Sequence, residues 1–477
     1  MENKEKVSTE EILSLANTLR WDLGMNLHDT VTESIYEGAS KIAKKTVRAK
    51  DEKSSANWDV KIDKVVTSKW LGFPIMFFLL ALVFWITVAA ANIPSGWIAS
   101  LLIDTLHPIL KNGATAIGFP WWLSGVLIDG AYLSVAWVVS VMLPPMAIFF
   151  PMFTLLEDFG YLPRVAFNMD NLFRKAGAHG KQALTMSMGF GCNAAGVVAT
   201  RVIDSPRERL IAIITNNFSL CNGRWPTQIL IASIFIGGLV SSRWAGIVSA
   251  GAVVGVAVLG IFFSLIVSWG LSRSVLKGEA SAFSLELPPY RPPRILQTLY
   301  TSLIDRTIFV LWRAVVFALP AGILIWLVAN IHIGQLSLAE WFINWSGPFA
   351  MLFGLNGVIL LAYIIAIPAN EIVIPTVLML TVISSGIAGV GAGDGVMFEL
   401  DSIADTERVL RAGGWTLLTG INLMLFSLLH NPCSTTIYTI YKETKSVKWT
   451  MISTFLPIVM GFAICFFTTQ VWRLLVK

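Results

Sequence analysis

The sequence predicts an all-α polytopic membrane protein, in which two inverted repeats of broken and re-entrant helices follow an N-terminal cytoplasmic helical arm. Of the 477 residues, 55% are hydrophobic and only 14% are charged, whereas soluble domains carry about 25% charged residues. Apolar runs such as 72–91 and 246–269 contain no charge and are long enough to span a bilayer. Other apolar segments are interrupted by glycine, proline, asparagine or cysteine at matching places in the two halves.

The arm, residues 1–69, is polar and mixed in charge. The run 8–11 (Ser-Thr-Glu-Glu) is typical of a helix start, and the basic run 41–53 suits a helix face near anionic lipid. Lysines precede the first apolar run, whereas 92–131 contains one lysine and no arginine, which predicts a cytoplasmic N-terminus. Residues 1–20 contain no apolar stretch, so we expect no cleavable signal peptide. The net charge of +5 is modest and favours basic cytoplasmic loops over nucleic-acid binding.

Beyond the arm, the apolar segments divide the chain into five parts. These are 70–149 (first two transmembrane helices), 150–245 (first module), 246–346 (transmembrane helices and a cytoplasmic proline-rich linker), 347–441 (second module) and 442–477 (C-terminal transmembrane helix). Uninterrupted spans are expected at 71–91, 132–156, 246–270, 314–331 and 449–472. The short stretch 186–199 has basic residues on both sides, which predicts a re-entrant hairpin. Loop 442–448 then lies inside and loop 241–243 outside, so the modules are expected to be inverted.

Backbone breaks inside these apolar segments are the first functional signal. Glycine and proline open a membrane helix, and the freed carbonyl groups can line a cavity or bind an ion. One such break is usually a packing kink, whereas paired breaks in two repeats indicate a transport site. The predicted breaks lie at Gly189, Gly191, Gly223, Pro226, Pro368, Pro375 and Pro432.

Glu371 is the only carboxylate deep within the second interrupted segment. A charge at bilayer depth is costly and by default marks a functional site. The alternative is a structural carboxylate that is paired with Arg224 or neutralised by hydrogen bonds. Arg224 is therefore a candidate counter-ion, although it could instead repel cations or bind an anionic substrate.

Three of the four cysteines lie inside helix breaks, while Cys465 lies in an uninterrupted span and is expected to be a packing residue. Thiolate combined with carboxylate, amide oxygen or imidazole suits a softer divalent ion such as ferrous iron. Asn193 and Asn370 could instead cap the broken helices, and His430 could serve only as a hydrogen-bonding residue. The predicted ion pathway consists of Cys192, Asn193, Cys221, Asn370, Glu371, His430 and Cys433.

The sequence contains no Gly-x-x-x-x-Gly-Lys-Ser/Thr phosphate loop, so we expect a transporter and not a nucleotide-hydrolysing enzyme. We expect no permanently bound cofactor, and the ion would be cargo.

Several ordered motifs resemble the ferrous iron transport protein B family from about residue 59 to the C-terminus. They are 62–66 with 70–72, 156–161, 189–193, 207–210, 286–290, 368–375 and 430–435. The resemblance implies Fe²⁺ import across the inner (plasma) membrane through two gate modules of the nucleoside-recognition type. It also implies ion or pore contacts at Cys192, Cys221, Glu371 and Cys433.

The chain departs from the family pattern in three places. It has Ala194-Ala195 where the family usually has Val-Pro, and Asn222-Gly223 where it usually has Gly-Ala. Family members normally carry an N-terminal GTP-binding domain, whereas here only the arm precedes the membrane part. We therefore expect a GTPase subunit that acts in trans and docks on residues 1–69, and a homo-oligomer is also compatible with the sequence.

Two other functions stay open at this point. The altered gate residues and Arg224 allow a transporter of another divalent metal or of a nucleoside. A non-transporting membrane receptor for a G protein is the third hypothesis.

Overall fold

The computed structural model describes residues 34–39, 41–42, 46, 55–68, 70–277, 290, 294–387, 395–400 and 402–475. The predicted helix start at 8–11, most of the basic run 41–53 and most of the proline-rich linker lie outside this part of the chain. Within it, strands are limited to the antiparallel pair His332–Ile333 and Leu336–Ser337. The prediction of an all-α fold is confirmed.

Seventeen helices cover most of the described chain. In order they are α1 (Ser55–Val66), α2 (Gly72–Ile117), α3 (Trp121–Asp158), α4 (Tyr161–Lys175), α5 (Gln182–Gly191), α6 (Asn193–Ala199), α7 (Pro206–Thr215), α8 (Trp225–Ile231), α9 (Ser242–Arg273), α10 (Ile295–Asn330), α11 (Leu338–Leu352), α12 (Gly357–Ile365), α13 (Val373–Ser385), α14 (Ile403–Ala412), α15 (Leu417–Leu429), α16 (Ser434–Thr444) and α17 (Val447–Leu475). Short 3₁₀ turns lie at Thr200–Val202, Asn216–Phe218, Asn222–Arg224, Gly237–Leu239 and Asn370–Ile372, and a π-helical turn at Ala232–Ile236 continues α8.

Five of these helices, α2, α3, α9, α10 and α17, are long and apolar enough to cross a membrane. Helices α11 and α12 are bent by 110° at their junction, and α14 and the broken pair α15–α16 by 107°. If each bent pair is one span, the described residues hold up to seven spans. The chain is therefore a multi-pass membrane protein.

Three helices are longer than the sequence predicted. Helix α2 continues past residue 91 to Ile117, α3 begins at Trp121 instead of near 132, and α10 begins at Ile295 instead of near 314. We expected the polar residues of 92–131 to lie in a connection, but His107 Nε2 and Lys111 Nζ lie 2.8 and 3.0 Å from the carboxylate of Asp129 on α3. Because these polar groups are paired with one another between α2 and α3, neither helix has to end where they occur.

Helices α5 and α6 form the predicted re-entrant hairpin, called here the first hairpin. Lys181 precedes α5, and its Nζ donates to the carbonyl of Val202 (2.9 Å) and to Asp204 (3.0 Å), both beyond α6. The two ends of the segment are thus adjacent, so the chain enters and leaves on the same side. Between the limbs, Asn216 Nδ2 donates to Asn193 O at 2.9 Å.

Helices α12 and α13 pack against each other as a second hairpin, and the two hairpins open at opposite ends of α17. Beyond the first hairpin, Arg201 binds Glu443 (2.6 Å), just before α17 begins. Ahead of the second hairpin, the carbonyl of Met351 accepts from Arg473 (3.0 Å), near the end of α17. This opposite placement confirms that the repeats are inverted.

Candidate functional site

The breaks of both repeats meet around one narrow cavity of about 30 Å³. Six of the seven predicted pathway residues line it: Cys192, Asn193, Cys221, Asn370, Glu371 and Cys433. The cavity thus brings together three thiols, two amides and one carboxylate from breaks that are up to 241 residues apart in the chain.

The backbone of the breaks repeats between the two halves. Cys192 and Ala369 each precede a short helix, and both have φ −150° and ψ 120°. Cys221 (φ −75°, ψ 166°) and Cys433 (φ −64°, ψ 159°) likewise precede helical turns in the same extended conformation. The repeat therefore pairs Cys192 with Ala369 and Cys221 with Cys433.

The Glu371 carboxylate lies directly against the backbone of Gly223. A Cβ added at Gly223 would contact Oε1 and would lie 2.6 Å from Cδ of Glu371. This glycine is therefore needed for a close approach and not for an unusual backbone angle. The contact joins the second break of the first repeat to the first break of the second.

The amide orientation of Asn193, at the tip of the first hairpin, is assigned from its hydrogen-bonding neighbours. With its side-chain nitrogen turned inward, it donates to Gly189 O at 2.9 Å and to Ser219 O at 3.2 Å. The opposite orientation would set the amide oxygen against the same two carbonyl oxygens, which is unfavourable. These neighbours favour the orientation in which the nitrogen donates, and Asn193 itself lines the cavity.

Asn370, the equivalent residue of the second repeat, is held by different groups. Its Nδ2 lies 3.6 Å from Cys221 Sγ, and its Oδ1 lies 3.0 Å from His430 Nε2. The other ring nitrogen of His430 lies 2.8 Å from Ser427 O. Of the predicted pathway residues, only His430 does not line the cavity, and its two contacts orient Asn370.

Arg224 does not act as the partner of Glu371 in this structure. It is 1% exposed, and its guanidinium donates to main-chain carbonyls on both sides of a break. The acceptors are Asn217 O (3.1 Å), Leu428 O (3.1 Å), His430 O (3.4 Å) and Asn431 O (3.1 Å). Arg224 thus satisfies carbonyl groups that the interrupted helices leave open.

The predicted backbone breaks fall into two groups. Gly191, Gly223 and Pro368 line the cavity. Gly189 packs against Ser219, since a Cβ there would lie 3.1 Å from Ser219 Oγ. The remaining positions are Pro226 and Pro375 in the first turns of α8 and α13, and Pro432 in the break before α16.

Six further lining residues outside the breaks were missed by the sequence reasoning. They are Met142 and Met146 on helix α3, Val310 and Ala314 on α10, and Thr435 and Thr436 in the first turn of α16. The Thr436 hydroxyl is 3.3 Å from Cys433 Sγ. None of these three pairs stands in a break, and in the sequence only the threonines could have been indicated, by their proximity to Cys433.

The lining groups do not form a closed metal centre. Within the described residues, no three His, Cys, Asp or Glu side chains are placed so that they could hold one metal ion. The cavity is thus lined by soft and hard donors that face a shared space without a preformed cage.

Comparisons with known proteins agree with this architecture. The family model for nucleoside recognition (Gate) matches residues 139–235 and 311–447, and the model for the ferrous iron transport protein B C terminus matches 253–305. The Fe(2+) transporter FeoB of Staphylococcus aureus (strain COL) is 30% identical over 87% of this chain, and that of Synechocystis sp. over 86%. The Campylobacter jejuni protein of that name is 26% identical over 93%.

The chain spans 59%, 63% and 70% of the length of the S. aureus, Synechocystis and C. jejuni relatives, respectively. No solved structure matches the chain significantly.

Proposed function

Because the chain belongs to the ferrous iron transport protein B family, as its membrane part, we propose that it is a permease that carries Fe²⁺ into the cytoplasm through the cavity between the breaks. The observation that carries the proposal is the convergence of three thiols and the Glu371 carboxylate on one cavity. Sulfur together with oxygen donors suits ferrous iron better than Mg²⁺ or Ca²⁺.

The size of the cavity supports an ion as cargo. Its volume of about 30 Å³ is enough for one ion or one or two waters, since a single water needs about 10–15 Å³. Sites for drug-sized organic ligands occupy about 300–1,000 Å³, so a nucleoside would require a large rearrangement. The open donor arrangement also fits transport, because an ion must be held weakly enough to leave.

The proposal places the protein in the inner membrane with the arm in the cytoplasm. The proposal also includes a separately encoded GTPase that acts on residues 1–69. A partner bound to the arm could act on the membrane part through α1, because Asn168 Nδ2 on α4 donates to Val66 O of α1 at 2.8 Å.

Iron flux into liposomes tests the proposal. Purified chain is reconstituted with an internal iron-sensitive dye, and Fe²⁺ is added without oxygen. We expect saturable quenching that Glu371→Gln reduces at least about tenfold, because the substitution removes the only carboxylate among the described residues that line the cavity. The matched control is Cys465→Ser, which alters a buried thiol of α17 that bonds to Asn422 O (3.5 Å) away from the cavity.

Normal Fe²⁺ flux in Glu371→Gln would contradict the assignment of the cavity as the ion pathway. Competition by Mn²⁺, Zn²⁺ and Co²⁺ measures the metal preference. An absence of flux, together with capture of a GTPase, would favour the receptor hypothesis.

A further inference from the structure

A buried arginine joins the arm to the helix that precedes the first hairpin. Arg164 lies on α4 and is 1% exposed. Its Nε donates to Asp63 Oδ1 (3.0 Å) and its Nη2 to Oδ2 (3.2 Å), while Nη1 donates to Gly160 O (2.7 Å). Paired hydrogen bonds of this kind are strong and fix orientation as well as distance. They hold α1, which carries Asp63, against α4.

Tyr290 brings a third segment to the same point. Its hydroxyl donates to Asp63 Oδ1 at 2.8 Å, and its ring lies over the Arg164 guanidinium, 4.1 Å from the centroid. Phe159 packs on the same ring, with 5.3 Å between centroids. Burial acts to raise the pKa of Asp63, but hydrogen bonds from Arg164 and Tyr290 outweigh it and lower the pKa below its ordinary value.

Three sequence motifs noted above therefore meet outside the ion cavity. They are 62–66, 156–161 and 286–290, which contribute Asp63, Phe159 with Gly160, and Tyr290. None of these residues lines the cavity. Their role must be sought in what the cluster holds in place.

A continuous packed path leads from α4 to the cavity. Met169 and Phe173 on α4 share one buried cluster with Ala183 and Met186 on α5. Helix α5 then runs without interruption toward Cys192 at the tip of the hairpin. Its 10 residues span about 15 Å. A shift of α4 is thus applied to a rigid limb that ends in the cavity.

We propose that the Asp63–Arg164–Tyr290 cluster sets the position of the first hairpin, so that movement of the arm or of the linker reaches Cys192. Arg164 is a positioning residue that acts through α4 and α5 and does not touch the ion. A partner that binds the arm would act on the cavity by this route. The biological meaning rests on the proposed function, whereas the mechanical coupling is testable without iron.

The test is the alkylation rate of Cys192 in the full chain, followed peptide by peptide with N-ethylmaleimide and mass spectrometry. Asp63→Asn removes the charge and Tyr290→Phe removes one hydrogen bond while keeping the ring. We expect both to change the Cys192 rate by about 2- to 30-fold, the range typical of coupling between distant sites. Cys465, which is buried in α17, should keep its rate in both variants.

Asp204→Asn is the matched control. Asp204 pairs with Lys181 at the open end of the same hairpin, but its side chain is 91% exposed, so its loss should leave the Cys192 rate unchanged. An unchanged Cys192 rate in both Asp63→Asn and Tyr290→Phe, with α1 more open to protease, would overturn the proposal.

Iron flux in the same variants separates the coupling from the proposed function. We expect a lower maximal flux at an unchanged half-saturating Fe²⁺ concentration, because the ion-facing groups are intact. If the unaltered chain moves no iron while the alkylation rates still shift, the coupling stands and the proposed cargo fails.

Discussion

Substitution of Gly223 by alanine should displace the Glu371 carboxylate without unfolding the protein. The added Cβ would lie 2.6 Å from Glu371 Cδ, about 0.8 Å short of the 3.4 Å at which ordinary contact begins. The obstructed group is the end of a flexible side chain, so it can turn aside at small cost to stability. The carboxylate then leaves its position by roughly 1 Å.

The expected effect is large for function and small for stability. A misplacement of about 1 Å can cost about 100-fold in a rate that depends on aligned groups, so we expect Fe²⁺ flux to fall about 10- to 100-fold. The thermal unfolding midpoint should change by no more than about 1–2 °C, because about 1 kcal/mol shifts the midpoint by only about 1 °C in a chain of 477 residues. Gly251→Ala is the matched control, because a Cβ there meets nothing within 4 Å.

A second substitution tests the reasoning directly. Shortening the side chain with Glu371→Asp in the Gly223→Ala background should relieve the clash and restore part of the flux. Wild-type flux in Gly223→Ala alone would refute the inference that the carboxylate is functional where it now lies.

Two further predictions concern stability. Replacing Arg224 by glutamine removes a buried cation that bonds to four carbonyls. The free energy of unfolding, measured by thermal unfolding in detergent, should fall by about 2–4 kcal/mol, since one hydrogen bond to a charged group contributes about 1.5–3 kcal/mol. An unchanged midpoint would mean that the carbonyls find other donors. The pKa of Asp63 is lowered from 3.8 in the folded protein, so its contribution is present above that pH and is lost as pH falls below it. Cleavage of α1 by an acid-stable protease should therefore accelerate as the pH falls below about 4, and a profile unaltered in Asp63→Asn would contradict this.

The interruptions in apolar segments were the most informative part of the sequence. Gly191, Cys192 and Glu371 could be selected because a broken helix and an intramembrane carboxylate are conspicuous in an apolar run. The partners of Arg224 could not be predicted, because main-chain carbonyls leave no signature in the sequence. His430 was assigned to the pathway because it stands three residues before Cys433, whereas its position behind Asn370 depends on how the repeats pack.

The predicted helix lengths were wrong for a different reason. A charged residue usually marks the end of a span, and 92–131 contains Asp104, Lys111 and Asp129. Lys111 pairs with Asp129 of another helix. This is a tertiary contact, and the pattern of residues along the sequence does not predict it.

The two halves are alike in backbone but complementary in chemistry at the cavity. Cys192 is followed by Asn193 and Ala194, whereas its counterpart Ala369 is followed by Asn370 and Glu371. With cysteine in both places, the pseudo-symmetric site would hold four sulfur ligands, the set by which proteins retain structural zinc permanently.

Ala369 supplies no ligand in the place of a fourth sulfur, and the Glu371 carboxylate comes from a position whose counterpart is Ala194. Under the proposed function, an ion would meet three thiols, two amides and one carboxylate without a symmetric cage. Under the proposed function, this asymmetry between the halves would favour release of the ion over permanent retention.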